Sequence, residues 1–353
     1  MLRLRRGVVV GSAPLTVEVA GERREAWADP ALVGEVREGD EVIVNVAALD
    51  LGLGSGGFDI VHANLTRGLD SEQAGSAHVM KLNYTPLQHA VKPLEESAGS
   101  DRGTTAPVLV LPLHGHLSPA VWAATQLRPG LRLGYVQGAG GALPGRLSRD
   151  VAELRGRELI AGHVTAGQAY GGDRDAISLI GAIDAGSRVL GWDAILVGPG
   201  PGILGSATRL GHGGMAALDA VHAALALGLP TLLSPRMSGA DPRPRHRGLS
   251  HHTATVLELA LGTVRVPVPE LDLEGWPTGE EGGEAVDVPS VLDSLHKAGA
   301  GRHDVTVEPV DLDAYASSGL STRTMGRDLT EDPLFFAAAL AAGRALGSLC
   351  EEA

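Results

Sequence analysis

From Val79 onward, short apolar runs alternate with stretches of helical periodicity, and this alternation constrains the fold more than any other feature of the sequence. Strands separated by helices cannot close as hairpins; each must be rejoined by a crossover, which produces a mainly parallel sheet with helices on both faces. The candidate strands are 79–83, 108–113, 131–136, 159–164, 194–197, 231–234, 264–268 and 305–310. Residues are 44% hydrophobic but only 3% aromatic, so the core must be built from Leu, Val, Ile and Ala, as helices packed on a parallel sheet require. Within 213–227, Met215, Leu218, His222 and Leu225 recur at spacings of three and four, which marks one helix face and makes His222 a core histidine. The Ala- and Leu-rich run 334–349 reads as a final helix, and the acidic, Gly- and Pro-bearing stretch 269–288 as a solvated loop.

The first 65 residues read differently. Short β-type runs at 2–10, 15–19, 24–27, 41–46 and 58–63 are divided by turn signals such as Glu38-Gly39-Asp40 and Gly54-Ser55-Gly56-Gly57. Closure into a small barrel or sandwich leaves few exposed edges. The expected organisation is therefore α/β: a small all-β domain over residues 1–70, a boundary in the polar stretch 66–78, and an α/β domain over 79–353.

Charge and cysteine content narrow the partners. A formal charge of -13 repels polyanions, so neither nucleic acid nor an anionic membrane is an expected partner. The single cysteine, Cys350, cannot form an internal disulfide or a thiolate metal site, and a reducing, cytoplasmic setting is expected. The opening Met1-Leu2-Arg3-Leu4-Arg5-Arg6 precedes too short an apolar run for a signal peptide, and no uninterrupted apolar stretch approaches the ~20 residues of a membrane span.

In open parallel sheets, ligands bind beyond the carboxyl ends of the strands, where loops and helix N-termini converge. Five successive candidate strands run into loops rich in Gly, His, Arg or hydroxyl groups: 114–118, 137–141, 165–173, 198–214 and 234–252. The helix-to-strand connections, such as Leu127-Arg128-Pro129-Gly130 and Gly228-Leu229-Pro230, are plain terminators. This one-sided distribution points to a single polar site. The loop from Ser234 to His252 places four arginines and three histidines in nineteen residues of an acidic chain. Guanidinium groups bind carboxylate or phosphate in bidentate fashion, so Arg236, Arg243, Arg245 and Arg247 are candidates for an anion clamp. Gly138, Gly140, Gly200, Gly202 and His212 are candidates to add polar contacts, the glycines through backbone N–H groups.

Ser250 is a candidate N-cap that would place His251 and His252 in the first turn of a helix, where the dipole disfavours imidazolium. Neutral imidazoles there suit metal binding, general-base work or hydrogen-bond donation. His114-x-His116 follows an apolar strand, and alternate residues of an extended chain share a side, so His114, His116 and His163 form a candidate divalent-metal set. Asp173 reads as the N-cap of a helix carrying Ile177, Ile180 and Ile183. Gly200-Pro201-Gly202-Ile203-Leu204-Gly205 has the spacing G-x-G-x-x-G, but its prolines and the lack of an acidic residue at the next strand end argue against a dinucleotide site. There is no G-K-[ST] phosphate loop and no G-x-S-x-G elbow.

Four phrases resemble one family: Met80 to Pro86, Gly162 to Asp173, Asp241 to His252 and Thr324-Met325-Gly326-Arg327. They are similar to a bacterial family catalogued as domain of unknown function 3866, over nearly the whole chain. The resemblance implies a bacterial origin and no activity. Three functions stay open on the residues: an enzyme acting on an anionic small molecule by acid–base or metal-assisted hydrolysis or group transfer, a non-catalytic metabolite-binding or regulatory protein, and a homo-oligomeric structural protein. In the enzyme reading His114, His116, His163, His251 and His252 are the candidates for proton transfer or metal binding.

Overall fold

A computed structural model describes residues 2–54, 56–69, 75–97, 99, 105–206, 208–270, 288–299 and 301–350. The chain forms two compact units, Met1–Lys92 and Pro93–Ala353.

In the first unit, β1 (Leu4–Ser12), β2 (Leu15–Val19), β3 (Glu22–Trp27), β4 (Glu41–Asn45) and β5 (Asp59–Asn64) close a barrel in the order β1-β2-β3-β5-β4. Two single turns, α1 (Pro30–Val33) and α2 (Ala47–Asp50), interrupt it. Its core consists of Val9, Val17, Val19, Val33, Val42, Val44, Val46 and Val61. β-Branched side chains suit alternate positions on a pleated strand, so the fully buried centre of this small barrel is valine, with Leu15, Ala26, Ala28 and Leu32 packed around it. A hairpin of β6 (Val79–Lys81) and β7 (His89–Val91) belongs to the same unit. The boundary therefore lies after Lys92 and not within 66–78, and the run 79–83 pairs with 89–91 instead of joining the large sheet.

The second unit is built on eight strands: β8 (Val108–Val110), β9 (Leu133–Gly138), β10 (Gly162–Ala166), β11 (Arg174–Ala176), β12 (Ala194–Pro199), β13 (Thr231–Leu233), and later β16 (Arg265–Glu270) and β17 (Asp304–Pro309). Between them lie the two-residue hairpin strands β14 (Met237–Ser238) and β15 (Gly248–Leu249), and near the end the pair β18 (Arg323–Thr324) and β19 (Arg327–Asp328). The order across the sheet is β11-β10-β9-β12-β8-β13-β16-β17, and every pairing is parallel. β11 was not expected, because two of its three residues, Arg174 and Asp175, are charged and it has no apolar alternation.

The helices are α3 (Leu117–Leu127), α4 (Arg149–Gly156), α5 (Leu179–Arg188), α6 (Ala216–Ala226), α7 (His251–Leu259), α8 (Val288–Gly299), α9 (Leu312–Ala316) and α10 (Pro333–Leu349). Sheet residues alternate between two apolar clusters. Val108, Val110, Ile195 and Val197 join residues of α5, α6, α7 and α8, whereas Leu109, Leu111, Leu133 and Leu196 join residues of α3, α4, α9 and α10.

Two helix readings change. On α6 the buried face is Ala217, Ala220, Val221 and Ala224, because small residues let the helix lie close to the sheet; His222 is half-buried and its Nε2 accepts from the Leu261 N–H at 3.2 Å. The N-cap of α5 is Ser178, whose Oγ accepts from Gly181 N, while Asp173 accepts from His163 N and pairs with Arg155 at 3.0 Å. Of the expected loop 269–288, residues 271–287 lie outside the described residues, residues 269 and 270 complete β16, and residue 288 opens α8. Among the described residues, no helix is long and apolar enough to cross a membrane.

Candidate functional site

The chain leaves β8 through α3 toward β9 on one side and leaves β13 through α7 toward β16 on the other. Because β8 and β13 are neighbours, their loops diverge and open the kind of crevice in which parallel sheets bind ligands. His116, in the segment beyond β8, and Ser234, directly after β13, meet there: His116 Nδ1 lies 2.8 Å from Ser234 Oγ, with both side chains fully buried. Phe335 of α10 meets the imidazole edge-on at 4.6 Å. Burial, then the positive charge of Arg236, pushes His116 down to about 3, so it is neutral at any ordinary pH.

His114 takes a different direction. The segment His114–His116 is one turn of 3-10 helix and not a continuation of the strand. At three residues per turn, positions two apart diverge instead of sharing a side. His114 Nε2 lies 2.7 Å from Ser148 Oγ, and its Nδ1 lies 3.1 Å from the Pro199 carbonyl. The Pro199 carbonyl can only accept, so the ring proton sits on Nδ1, and the Ser148 hydroxyl, whose Oγ also accepts from Val151 N to cap α4, donates to His114 Nε2. Tyr135 stacks on His163 at 5.3 Å and meets His114 edge-on at 6.1 Å. His163 is buried and pushed down to about 4, chiefly by burial. The expected metal set of His114, His116 and His163 is thus not assembled: His114 has both ring nitrogens occupied, and His116 points into the β8–β13 crevice.

The arginine-rich loop is organised around a carboxylate absent from the expected site. Asp241, fully buried, pairs with Arg236 at 3.2 Å and with Arg243 at 2.8 Å, and Arg327 reaches to 3.5 Å. Arg327 also pairs with Asp332 at 3.1 Å, and Asp332 accepts from Ser238 Oγ at 2.6 Å and Gly239 N at 2.9 Å. Arg236, only 1% exposed, is lowered to about 10, first by burial. Arg236 and Arg243 are therefore bound internally, whereas Arg245 and Arg247 are exposed. Asp241 was the one acidic residue in a loop of four arginines, and that solitary charge was the signal for its role.

The closest gathering of imidazoles lies at the start of α7. Ser250 caps this helix and accepts from His252 N, as expected. His212, from the loop after β12, stacks on His252 with centroids 3.6 Å apart and planes 10° apart, while His251 stands 5.3 Å from His212 and 4.4 Å from His252. One ligating nitrogen from each of His212, His251 and His252 lies within 4.8 Å of the others. His246, on the 3-10 turn Pro244–His246, packs 4.8 Å from His252 and bonds Ser250 Oγ through Nδ1 at 2.7 Å. His252 is lowered to about 2 and His246 to about 3, and His212 and His251 are lowered as well. Burial leads in every case and the positive charge of Arg236 adds to it in each, whereas the sequence had pointed to the helix dipole.

The glycine loops pack against each other. A Cβ on Gly140 would stand 2.5 Å from the Gly213 carbonyl oxygen, and one on Gly200 would stand 2.2 Å from that of Ala142. The Gly140 carbonyl accepts from Leu204 N, and that of Pro201 from Ala142 N. Gly202, at φ 71°, meets nothing. Gly138 lines a cavity of about 200 Å³ with Gly167, Ser178 and Ala216, and none of the candidate histidines borders it.

The sequence model of a family described as protein of unknown function (DUF3866) matches residues 25–343. The chain belongs to that family. Comparison of this DUF3866 protein with curated proteins and with solved structures gave no match.

Proposed function

We propose that this DUF3866 protein is an enzyme acting on an anionic small molecule, phosphorylated or carboxylated, by acid–base or metal-assisted hydrolysis or group transfer. The observation that carries this reading is the cluster of His212, His246, His251 and His252 at the carboxyl edge of the sheet, against the buried guanidinium of Arg236, which lies 3.4 Å from His252 Nδ1. Imidazoles held neutral accept protons or bind metals, and cations beside them supply the field that holds an anion. Exposed Arg245 and Arg247 are the clamp that remains once Arg236 and Arg243 are engaged by Asp241. His116 and Ser234 at the β8–β13 crevice, and His114 and His163 near Tyr135, are secondary candidates for hydrogen bonding to the ligand, their imidazoles held neutral.

A second reading has its own support: two of the four loop arginines serve an internal ion-pair network, as they would in a metabolite-binding or subunit-contact loop without catalysis.

Calorimetry with inorganic phosphate and citrate, together with release of nitrophenol from its phosphate and acetate esters, tests the proposal. Saturable anion binding and turnover are expected, and Arg245→Ala is expected to weaken binding by about tenfold, the loss of one charge-assisted contact. If Arg245→Ala and His251→Ala leave affinity and turnover unchanged but dissolve an oligomer, the subunit-contact reading replaces the enzyme. Binding without product would leave a metabolite-binding protein.

A further inference from the structure

The imidazole cluster at the start of α7 carries a sharper reading, which rests on the site proposed above and deepens it. We infer that His212, His251 and His252 bind one divalent transition-metal ion of the zinc, cobalt or nickel class, leaving a coordination position open to an anionic oxygen ligand. The loop after β12 and the first turn of α7 supply the three rings.

The hydrogen-bond pattern identifies the ligating atom of His212. His212 Nε2 lies 2.9 Å from the Arg209 carbonyl, so the ring proton sits on Nε2 and Nδ1 keeps its lone pair. That fixed tautomer, set by a backbone carbonyl behind the ring, is the usual arrangement of a metal-binding histidine. His212 Nδ1 is buried and has no hydrogen-bond partner among the described residues, and the same holds for His251 Nε2. His252 Nδ1 meets Arg236 Nη1 at 3.4 Å, the outer edge of a hydrogen bond, so an ion joining the three rings takes that lone pair from the guanidinium. The buried carboxylate of Asp241 is engaged by Arg236 and Arg243.

Gly214 marks the shared space. A Cβ built there would stand 2.9 Å from His252 Nδ1 and 3.0 Å from His212 Nδ1, so the absence of a side chain keeps open a point that both rings face. Nitrogens around a tetrahedral ion stand about 3.4 Å apart at ordinary Zn–N distances. With the three atoms within 4.8 Å, modest ring rotations close the remaining gap.

Ligand chemistry selects the ion. All three donors are imidazoles, which favours zinc, cobalt or nickel over the oxygen-seeking magnesium and calcium and over thiolate-seeking copper(I). Three neutral ligands leave the whole double charge on the ion, with Arg236 close by. Such a centre calls for an anion, and a carboxylate, phosphate or hydroxide oxygen at the open position satisfies it. His246 has Nδ1 committed to Ser250 and stands outside the ligating three.

The test uses the full chain without a histidine tag, stripped with EDTA and desalted. Titration with Co²⁺, followed by visible absorption and by competition with Zn²⁺, is expected to show one ion per chain with tetrahedral or five-coordinate bands. His212→Ala and His251→Ala should each weaken Co²⁺ binding by more than about 100-fold, beyond the range for loss of an outer partner. Gly214→Ala should weaken it as well, through the methyl group between the nitrogens, while His222→Ala on α6 should bind as the unaltered protein does. X-ray absorption of the zinc-loaded unaltered protein, which needs no variant to fold, should show three imidazole nitrogens. No stoichiometric binding, affinity unchanged in both His212→Ala and His251→Ala, or a shell made of carboxylates and water would each overturn the inference. The titration contains no anionic substrate, so its failure leaves the anion-binding measurement standing, and failed anion binding leaves the metal measurement standing.

Discussion

Asp241 shows how much one side chain can organise. Its burial raises the carboxyl pKa, but hydrogen bonds and charge from Arg243, joined by Arg236, override that and hold it well below the usual carboxylate range. Removing one partner of such a group leaves a buried guanidinium uncompensated, which costs about 3–5 kcal/mol. Asp241→Asn should therefore lower the unfolding free energy by about that amount, read from the urea midpoint at pH 7; a change under about 1 kcal/mol would show that water reaches Arg236. Because the folded value is depressed, the contribution is complete above the unfolded value and is lost only as pH falls through the folded one. Asp241 therefore contributes nothing to any loss of stability between pH 5 and pH 7.

At the scale of elements, α3 and α10 pack with backbone close against backbone. A Cβ on Gly343 would stand 2.0 Å from the Ala120 carbonyl oxygen, whereas one on Gly347 would stand 3.2 Å from that of Ala124. Backbone cannot step aside as a side chain can, so Gly343→Ala forces the helices apart and should cost about 1–3 kcal/mol or more. Gly347→Ala gains about 1 kcal/mol in helix propensity against a milder contact and should be close to neutral. Thermal melts of the two variants decide the matter, and the reverse order would mean that the helices are not packed this tightly. The same element scale explains the histidine pair after β8. Apolar residues from Val108 to Leu113 read as one extended run, but the strand ends at Val110, and a 3-10 turn separates the two rings.

For the whole molecule, burial of neutral histidines sets the response to acid. His116 and His163 are lowered to about 3 and about 4 from an ordinary value of 6.5. Below pH 6.5 the unfolded chain takes up protons that these folded rings refuse, so stability falls as pH falls. Each contributes about 1.4 kcal/mol per pH unit, or roughly 3 kcal/mol per unit together, until pH nears the folded values. Urea unfolding between pH 6 and pH 4.5 should show at least this slope, to which the lowered His246 and His252 add, and His116→Gln should reduce it by about 1.4 kcal/mol per pH unit. A stability flat across that range would show that both rings can be protonated in place.

The sequence by itself determined the parallel sheet, the preceding β unit, the Ser250 cap and the one-sided enrichment of polar loops. These are legible because burial imposes a period of two or 3.6 on neighbouring residues, and because caps act within four positions. What only the tertiary structure decided is which rings meet. His212 lies 39 positions before His251 in the sequence, and no local pattern records that the loop after β12 folds over the first turn of α7. Asp241 and Asp332, 91 positions apart, share Arg327 for the same reason. Contacts of that kind follow from strand order and close packing, which sequence periodicity does not encode, so the expected set of His114, His116 and His163 is not brought together while His212 meets His251 and His252.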